Sequence, residues 1–170
     1  MTLLEVLTVV VIIGILASML VPVYNNITAG AEEARCIANL KNLYVAASGY
    51  LQVSNSWPQI PVKLLTDDPK TYAHLWVDVL TPYGAPHKVW ICPAVQRMLG
   101  VSMDEIDKQE NYRIDFLATP FDDNPTSPRL NSTHPWFLEK AGLHPRGNLL
   151  IQTNGNITSL KDLVGPQPAN

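Results

Sequence analysis

The sequence predicts an α+β protein in which a long hydrophobic N-terminal helix packs, at its C-terminal half, against a small antiparallel β-sheet head. Three observations carry that prediction. The N-terminus is a run without charge, an amphipathic stripe follows it at helical spacing, and an Asn-Gly dipeptide near the other end lies between two β-compatible runs. The 170 residues suffice to bury a core. There are 12 Lys+Arg against 15 Asp+Glu, a net charge of −3, and only 16% of residues are charged. With a mean hydropathy of +0.04, this composition excludes a disordered polyelectrolyte and argues against bulk nucleic-acid binding. Two cysteines are too few for a disulfide-scaffold miniprotein or a four-cysteine zinc site. The averages conceal two unlike parts, because Glu5 is the sole charged side chain before Glu32.

From Val6 to Val21 the chain reads VLTVVVIIGILASMLV. At ~1.5 Å per residue, Thr2 to Tyr24 makes roughly 35 Å of helix, which matches the ~30 Å hydrocarbon core of a bilayer. A membrane span is therefore expected. A removable secretory signal would need a basic n-region, a shorter apolar stretch and a small-residue cleavage site, and no Lys or Arg precedes the run. A buried helix of a soluble core is the other reading, set against a run that is apolar on every face. Glu5 would lie at hydrocarbon depth, where a carboxylate needs a partner or a task. No Lys, Arg or His of this segment can be that partner, so the nearest cation is a terminal ammonium at Met1, in this chain or a neighbouring copy. Pairing with a neighbour's terminus would neutralise both charges and fix the register of adjacent helices. The alternatives are a carboxyl close enough to the helix start to reach the interface, or one that is protonated. Gly14 and Pro22 mark a stretch expected to kink or unwind, since Pro22 removes the amide that would bond to Ser18.

The helical pattern then resumes as a half-buried one, with Ile37, Leu40, Tyr44, Ala47 and Leu51 on one stripe, and Ser54-Asn-Ser-Trp-Pro58 ends it. The chain divides into 1–24, an apolar helix; 25–53, its amphipathic continuation; and 54–170, a globular head. Of the 14 prolines only Pro22 precedes residue 53, so the head is loop-rich. Its expected elements are a helix near Pro69–Leu80, a short strand at Lys88–Cys92, and a helix from Ser102, where Ser-Met-Asp-Glu105 fits a capping box. A strand at Tyr112–Leu117 and a polar loop over Thr119–Pro135 follow. Asn148–Thr153 and Asn156–Leu160 flank Asn154-Gly155, which reads as a hairpin with a type I′ turn.

Met1-Thr-Leu-Leu-Glu5, the β-branched run, Gly14 and then Pro22-Val-Tyr24 closely resemble the mature N-terminus of bacterial type IV pilins and type II secretion pseudopilins. The chain departs from that family in beginning with Met1 where Phe is usual. The resemblance implies a leader removed by a prepilin peptidase before Met1, N-methylation of the exposed amine, and no enzymatic activity. It further implies residence in the inner membrane and its lipid bilayer before an assembly machinery draws the subunit into a homopolymeric extracellular pilus or a periplasmic pseudopilus. Glu5 and Met1 would then be the assembly pair, and Gly14 to Pro22 the segment that absorbs the bend. A type II secretion pseudopilin and a single-span anchored periplasmic protein remain as alternatives. Arg35-Cys36-Ile-Ala-Asn39-Leu-Lys, Trp90-Ile-Cys92-Pro93, and His144 followed by Asn154-Gly155 are similar to a subgroup of prepilin-like proteins with a His, nine-residue, Asp-Gly pattern; here Asn154 replaces the Asp.

Cys36 and Cys92 are an even pair in a head that would face an oxidising compartment, so they read as a disulfide or, alternatively, as two buried thiols. No phosphate-cradling Gly loop, His-Glu-x-x-His, Gly-x-Ser-x-Gly or Cys-x-x-Cys is present. His74, His87, His134 and His144 are scattered and read as surface or hydrogen-bonded residues. Asp122-Asp123-Asn124 offers weak calcium ligands without the full EF-hand spacing, and otherwise no cofactor or metal is expected. The four tryptophans, without an accompanying basic stripe, read as head core, and no nucleic-acid partner is expected.

Overall fold

The computed structural model describes residues 2–108, 110–122, 124–126 and 133–164. Its first element, α1 (Leu3–Ser54), is a single helix of 52 residues. Thr2 caps it. The Thr2 hydroxyl accepts from the Glu5 N–H at 3.3 Å, and the Glu5 carboxylate accepts from the Thr2 N–H at 2.6 Å. This reciprocal box satisfies two amides that the helix itself leaves unpaired. Asn55 closes the other end in the left-handed region, φ 51, with its N–H bonded to the Leu51 carbonyl at 2.8 Å. Between the caps α1 is helical without interruption, and the unwinding expected from Gly14 to Pro22 is not seen. A proline deletes one donor and leaves the ladder intact on both sides, which a helix this long absorbs.

The expected membrane span, and with it inner-membrane residence, is corrected. Among the described residues no helix is long and apolar enough to cross a membrane. The fold of the described residues is α+β with a sheet of four strands, and among them no helix is long and apolar enough to span a bilayer.

The second half of α1 buries Glu32, Cys36, Leu40, Leu43, Ala46, Ala47 and Leu51. Relative to the expected stripe the buried seam is rotated slightly, so that Ile37 and Tyr44 lie half-buried at its margin. The reason is that both sides of the helix are covered, and Ala46 and Ala47 permit close approach. Against it pack α3 (Pro69–Leu80) and α4 (Pro93–Leu99), while α2 (Leu64–Asp67) packs on α3; α5 (Met103–Ile106), the sheet and a closing α6 (Leu160–Val164) follow along the chain. α3 starts with Asp68 as its cap, accepting from Thr71 N–H at 3.1 Å, and Pro69 at its first turn. α5 carries the expected capping box between Ser102 and Glu105.

The strand expected at Lys88–Cys92 is instead a 3₁₀ turn, His87–Trp90. Pro86 and Pro93 bracket it, and the Pro86 carbonyl accepts from Val89 N–H at 2.9 Å, which curls the segment before it can extend. The sheet is an antiparallel meander in the order β1 (Phe116–Ala118), β2 (Pro135–Glu139), β3 (Leu149–Gln152), β4 (Ile157–Ser159). β2 lies where only a polar loop was expected to end. Pro135 is its first residue, next to a register shift between Pro135 and Phe137, one of the few places a sheet tolerates proline. Trp57, Trp76, Trp90 and Trp136 are all fully buried, as the sequence suggested. Phe137 contacts the rings of Trp57, Trp76 and Trp90 with centroids 5.9, 6.4 and 5.7 Å away.

The β3–β4 hairpin forms at Asn154-Gly155, but its turn is not type I′. Gly155 has φ +78 while Asn154 is not in the left-handed region. Gly155 N–H donates to the Gln152 carbonyl at 2.8 Å and Gln152 N–H to the Asn156 carbonyl at 2.9 Å, a three-residue loop ending in a glycine bulge. The Tyr44 ring lies 3.4 Å from where a Cβ at Gly155 would stand. Gly155→Ala is expected to cost ~1–2 kcal/mol through its left-handed backbone. Equilibrium urea unfolding checks this, and an unchanged midpoint would contradict the turn assignment.

Candidate functional site

The polar residues that chemistry could use converge where α1 meets the head. Cys36 occupies the buried seam of α1, and Cys92 is the residue that precedes α4. Asn39 Nδ2, one turn on from Cys36, donates to the Ile91 carbonyl at 2.9 Å and so fixes the approach of the Cys92 segment to α1. The Cys92 N–H donates to Asp115 Oδ2 at 2.8 Å, and Arg113 Nε holds the other carboxylate oxygen at 3.1 Å. Glu139 ends β2 and points inward like Phe137 two residues earlier, as strand alternation requires. His144 sits on the β2–β3 connection, which Asn148 brackets by donating to the carbonyls of Glu139 and Lys140 at 3.0 and 3.2 Å. Gly142 leaves room for that bracket, since a Cβ there would meet Asn148 Oδ1 at 2.6 Å.

The four side chains form one contact group. The Cys36 and Cys92 sulfurs are 2.7 Å apart, Cys92 Sγ is 3.1 Å from Glu139 Oε1 and 3.5 Å from His144 Nε2, and that nitrogen is 2.9 Å from Glu139 Oε1. All four donor atoms lie within 4.8 Å of one another. Cys36, Cys92 and Glu139 are 0% exposed and His144 is 6% exposed. The remaining Glu139 oxygen accepts from Leu149 N–H at 3.2 Å, which orients the carboxylate.

These groups bear on one another's protons. The hydrogen bond from Cys36 holds the Cys92 thiol down at about 6, and the same contact pushes Cys36 up. Burial, ahead of the bond to Cys92, pushes Glu139 up to about 8. The pocket thus resists carrying more than one negative charge, which is how anionic donors behave when crowded in a low dielectric without a cation.

Cys36 and Cys92, expected as a disulfide, are indeed neighbours, and both are free cysteines. Their 2.7 Å separation exceeds the ~2.05 Å of a disulfide. Glu5 is engaged with Thr2, and Met1 and Asp123 lie outside the described residues. Gly14 and Pro22 are within the uninterrupted α1, and Asn154-Gly155 forms the hairpin turn. Asp122 is exposed and, among the described residues, belongs to no convergent ligand group. His87 bonds Asp107 and the Arg113 carbonyl, His74 stacks on Tyr112, and His134 is exposed. Sequence reasoning missed Glu139 and the role of His144. Had Trp136-Phe137-Leu138 been read as a strand, Glu139 would have appeared as an acid at an inward position.

No family model, curated protein or solved structure matches this chain. Asp115→Ala would strand the Cys92 amide and the Arg113 guanidinium without their acceptor. A loss of ~1–3 kcal/mol in chemical denaturation is expected, and full retention of stability would show that Asp115 does not hold the Cys92 segment.

Proposed function

We propose that this chain is the structural subunit of a type IV pilus-like filament, polymerising through the N-terminal half of α1. The structural observation that carries it is the exposure of that half. Leu3, Leu4, Leu7, Val10, Ile13, Leu16 and Met19 are 88, 70, 59, 60, 59, 58 and 64% exposed, and Val9, Val11, Ile12 and Ile15 between them are also open. The apolar residues occupy every face of the helix, so no one-sided groove of a single partner covers them. Burying each Val, Leu or Ile side chain is worth ~1.5–3 kcal/mol, and packing among several parallel copies achieves this all round. Staggered, heterologous packing of that kind generates a helical polymer rather than a closed ring. The head, which buries only the second half of α1, stays on the outside.

The resemblance of residues 1–24 to pilins supports the same reading and gives Glu5 a task. Its carboxylate closes the cap on Thr2, and in a filament it would exchange that bond for the terminal amine of a neighbour. The test is electron microscopy and sedimentation of the purified full chain. Filaments are expected for the native chain, and soluble monomers for Val10→Lys with Ile13→Lys, with the tryptophan fluorescence of the head unchanged. Glu5→Gln keeps a capping box but removes the charge, and it is expected to reduce assembly severely. A native chain that stays monomeric would sink the proposal; undiminished assembly of Glu5→Gln would sink the pairing.

A further inference from the structure

We propose that Cys36, Cys92, Glu139 and His144 form a structural zinc site that clamps α1 to the head. The donor set carries the proposal. Two thiolates and an imidazole are borderline-soft ligands that suit zinc and not calcium or magnesium, and a carboxylate oxygen completes four. The geometry agrees with that donor set. Zinc bonds of ~2.0–2.3 Å in a tetrahedron place ligand atoms ~3.4–3.8 Å apart. Cys92 Sγ and His144 Nε2 already stand 3.5 Å apart, and the other measured separations, 2.7, 2.9 and 3.1 Å, need to open by about 0.4–1 Å. Side-chain rotation suffices for that. All four side chains are shut from solvent, with no fifth, open position, which is the arrangement of a structural and not a catalytic site.

The supporting contacts are those a metal site uses to aim its ligands. Leu149 N–H holds the free oxygen of Glu139 and Asp115 holds the backbone of Cys92. Without a cation, a carboxylate, an imidazole and two sulfurs share one dry pocket for no structural return, since an apolar quartet would pack at less cost. A disulfide would use the two sulfurs and leave Glu139 and His144 buried beside it. Zinc binding uses all four and balances simply: each thiol that ligates, and the Glu139 carboxyl where it is protonated, gives its proton to solvent, and His144 binds as the neutral ring through Nε2.

The ligands come from α1, the head of α4, the end of β2 and the β2–β3 connection, so one ion would join every layer of the fold. The site is independent of the filament reading, because it uses none of the N-terminal residues. The test takes the full chain, isolated without chelator, and measures zinc by inductively coupled plasma mass spectrometry alongside the intact mass. One zinc per chain, with both thiols present, is expected, together with a lower thermal midpoint after chelation that added zinc restores. Cys92→Ser and His144→Ala should each lose the metal. Cobalt exchanged into the native chain gives a second readout that needs no variant, the intense visible bands and thiolate charge transfer of a tetrahedral site. A metal-free chain whose mass is two hydrogens lighter would establish a disulfide and overturn the proposal. So would reduced thiols that take up no zinc, zinc retained by both variants, or a weak octahedral cobalt spectrum.

Discussion

The junction between α1 and the head depends on a buried polar contact in a largely aromatic and aliphatic interior. Cys36, Cys92, and the neighbouring Glu139 and His144 meet there from three separated stretches of chain, and each is closed to solvent. Taking a carboxylate and an imidazole out of water is unfavourable unless their polar atoms are fully used. That constraint explains the detail around them: the Asn148 bracket, the space left at Gly142, the Asp115 acceptor under Cys92 and the Asn39 tie to Ile91. Two ion pairs flank the same seam, Glu32 with Arg97 and Glu33 with Arg146, both linking α1 to segments of the head. Their arginines are largely exposed, so they guide the docking more than they stabilise it.

One helix therefore lives in two environments. From Glu32 onward α1 is a spine inside a folded domain, whereas before Met19 it presents Val, Ile and Leu in all directions. Among the described residues the first half is exposed from Thr2 to Met19, and the Thr2–Glu5 box at its start is the local device that keeps the first turn wound. In the filament reading, copies of the same helix supply the missing contacts. Anchoring the clamp at Cys36 would place the rigid part of the subunit just beyond the segment that packs, so that head and spine move as one body.

Much of the fold was legible because its signals are local. The cap at Ser102, the end of α1 in Ser54-Asn-Ser-Trp-Pro58, the α3 span and the Asn-Gly hairpin each depend on a few adjacent residues. The errors arose where neighbours decide. Lys88–Cys92 is β-compatible in composition, yet two flanking prolines curl it, and Pro135 disguised a strand that begins on it. The turn at Gly155 adopted a bulge because residues 152 and 156 pair across it, a choice the dipeptide alone does not reveal. The cluster was least legible of all. Glu139 and His144 stand only five residues apart, but Cys36 and Cys92 lie far from them and from each other, and only the fold makes the four adjacent. The pair of cysteines was visible; the acid and the histidine completing it were not. The Thr2-x-x-Glu5 pattern was visible too, but Glu5 was read for its charge and not for its cap.

The most direct test of the junction is X-ray absorption at the zinc edge on the full chain as isolated. The account predicts a four-coordinate shell, with two sulfurs at ~2.3 Å and two nitrogen or oxygen ligands at ~2.0–2.1 Å, one showing the outer-shell scattering of an imidazole. A shell of six light atoms without sulfur would contradict it.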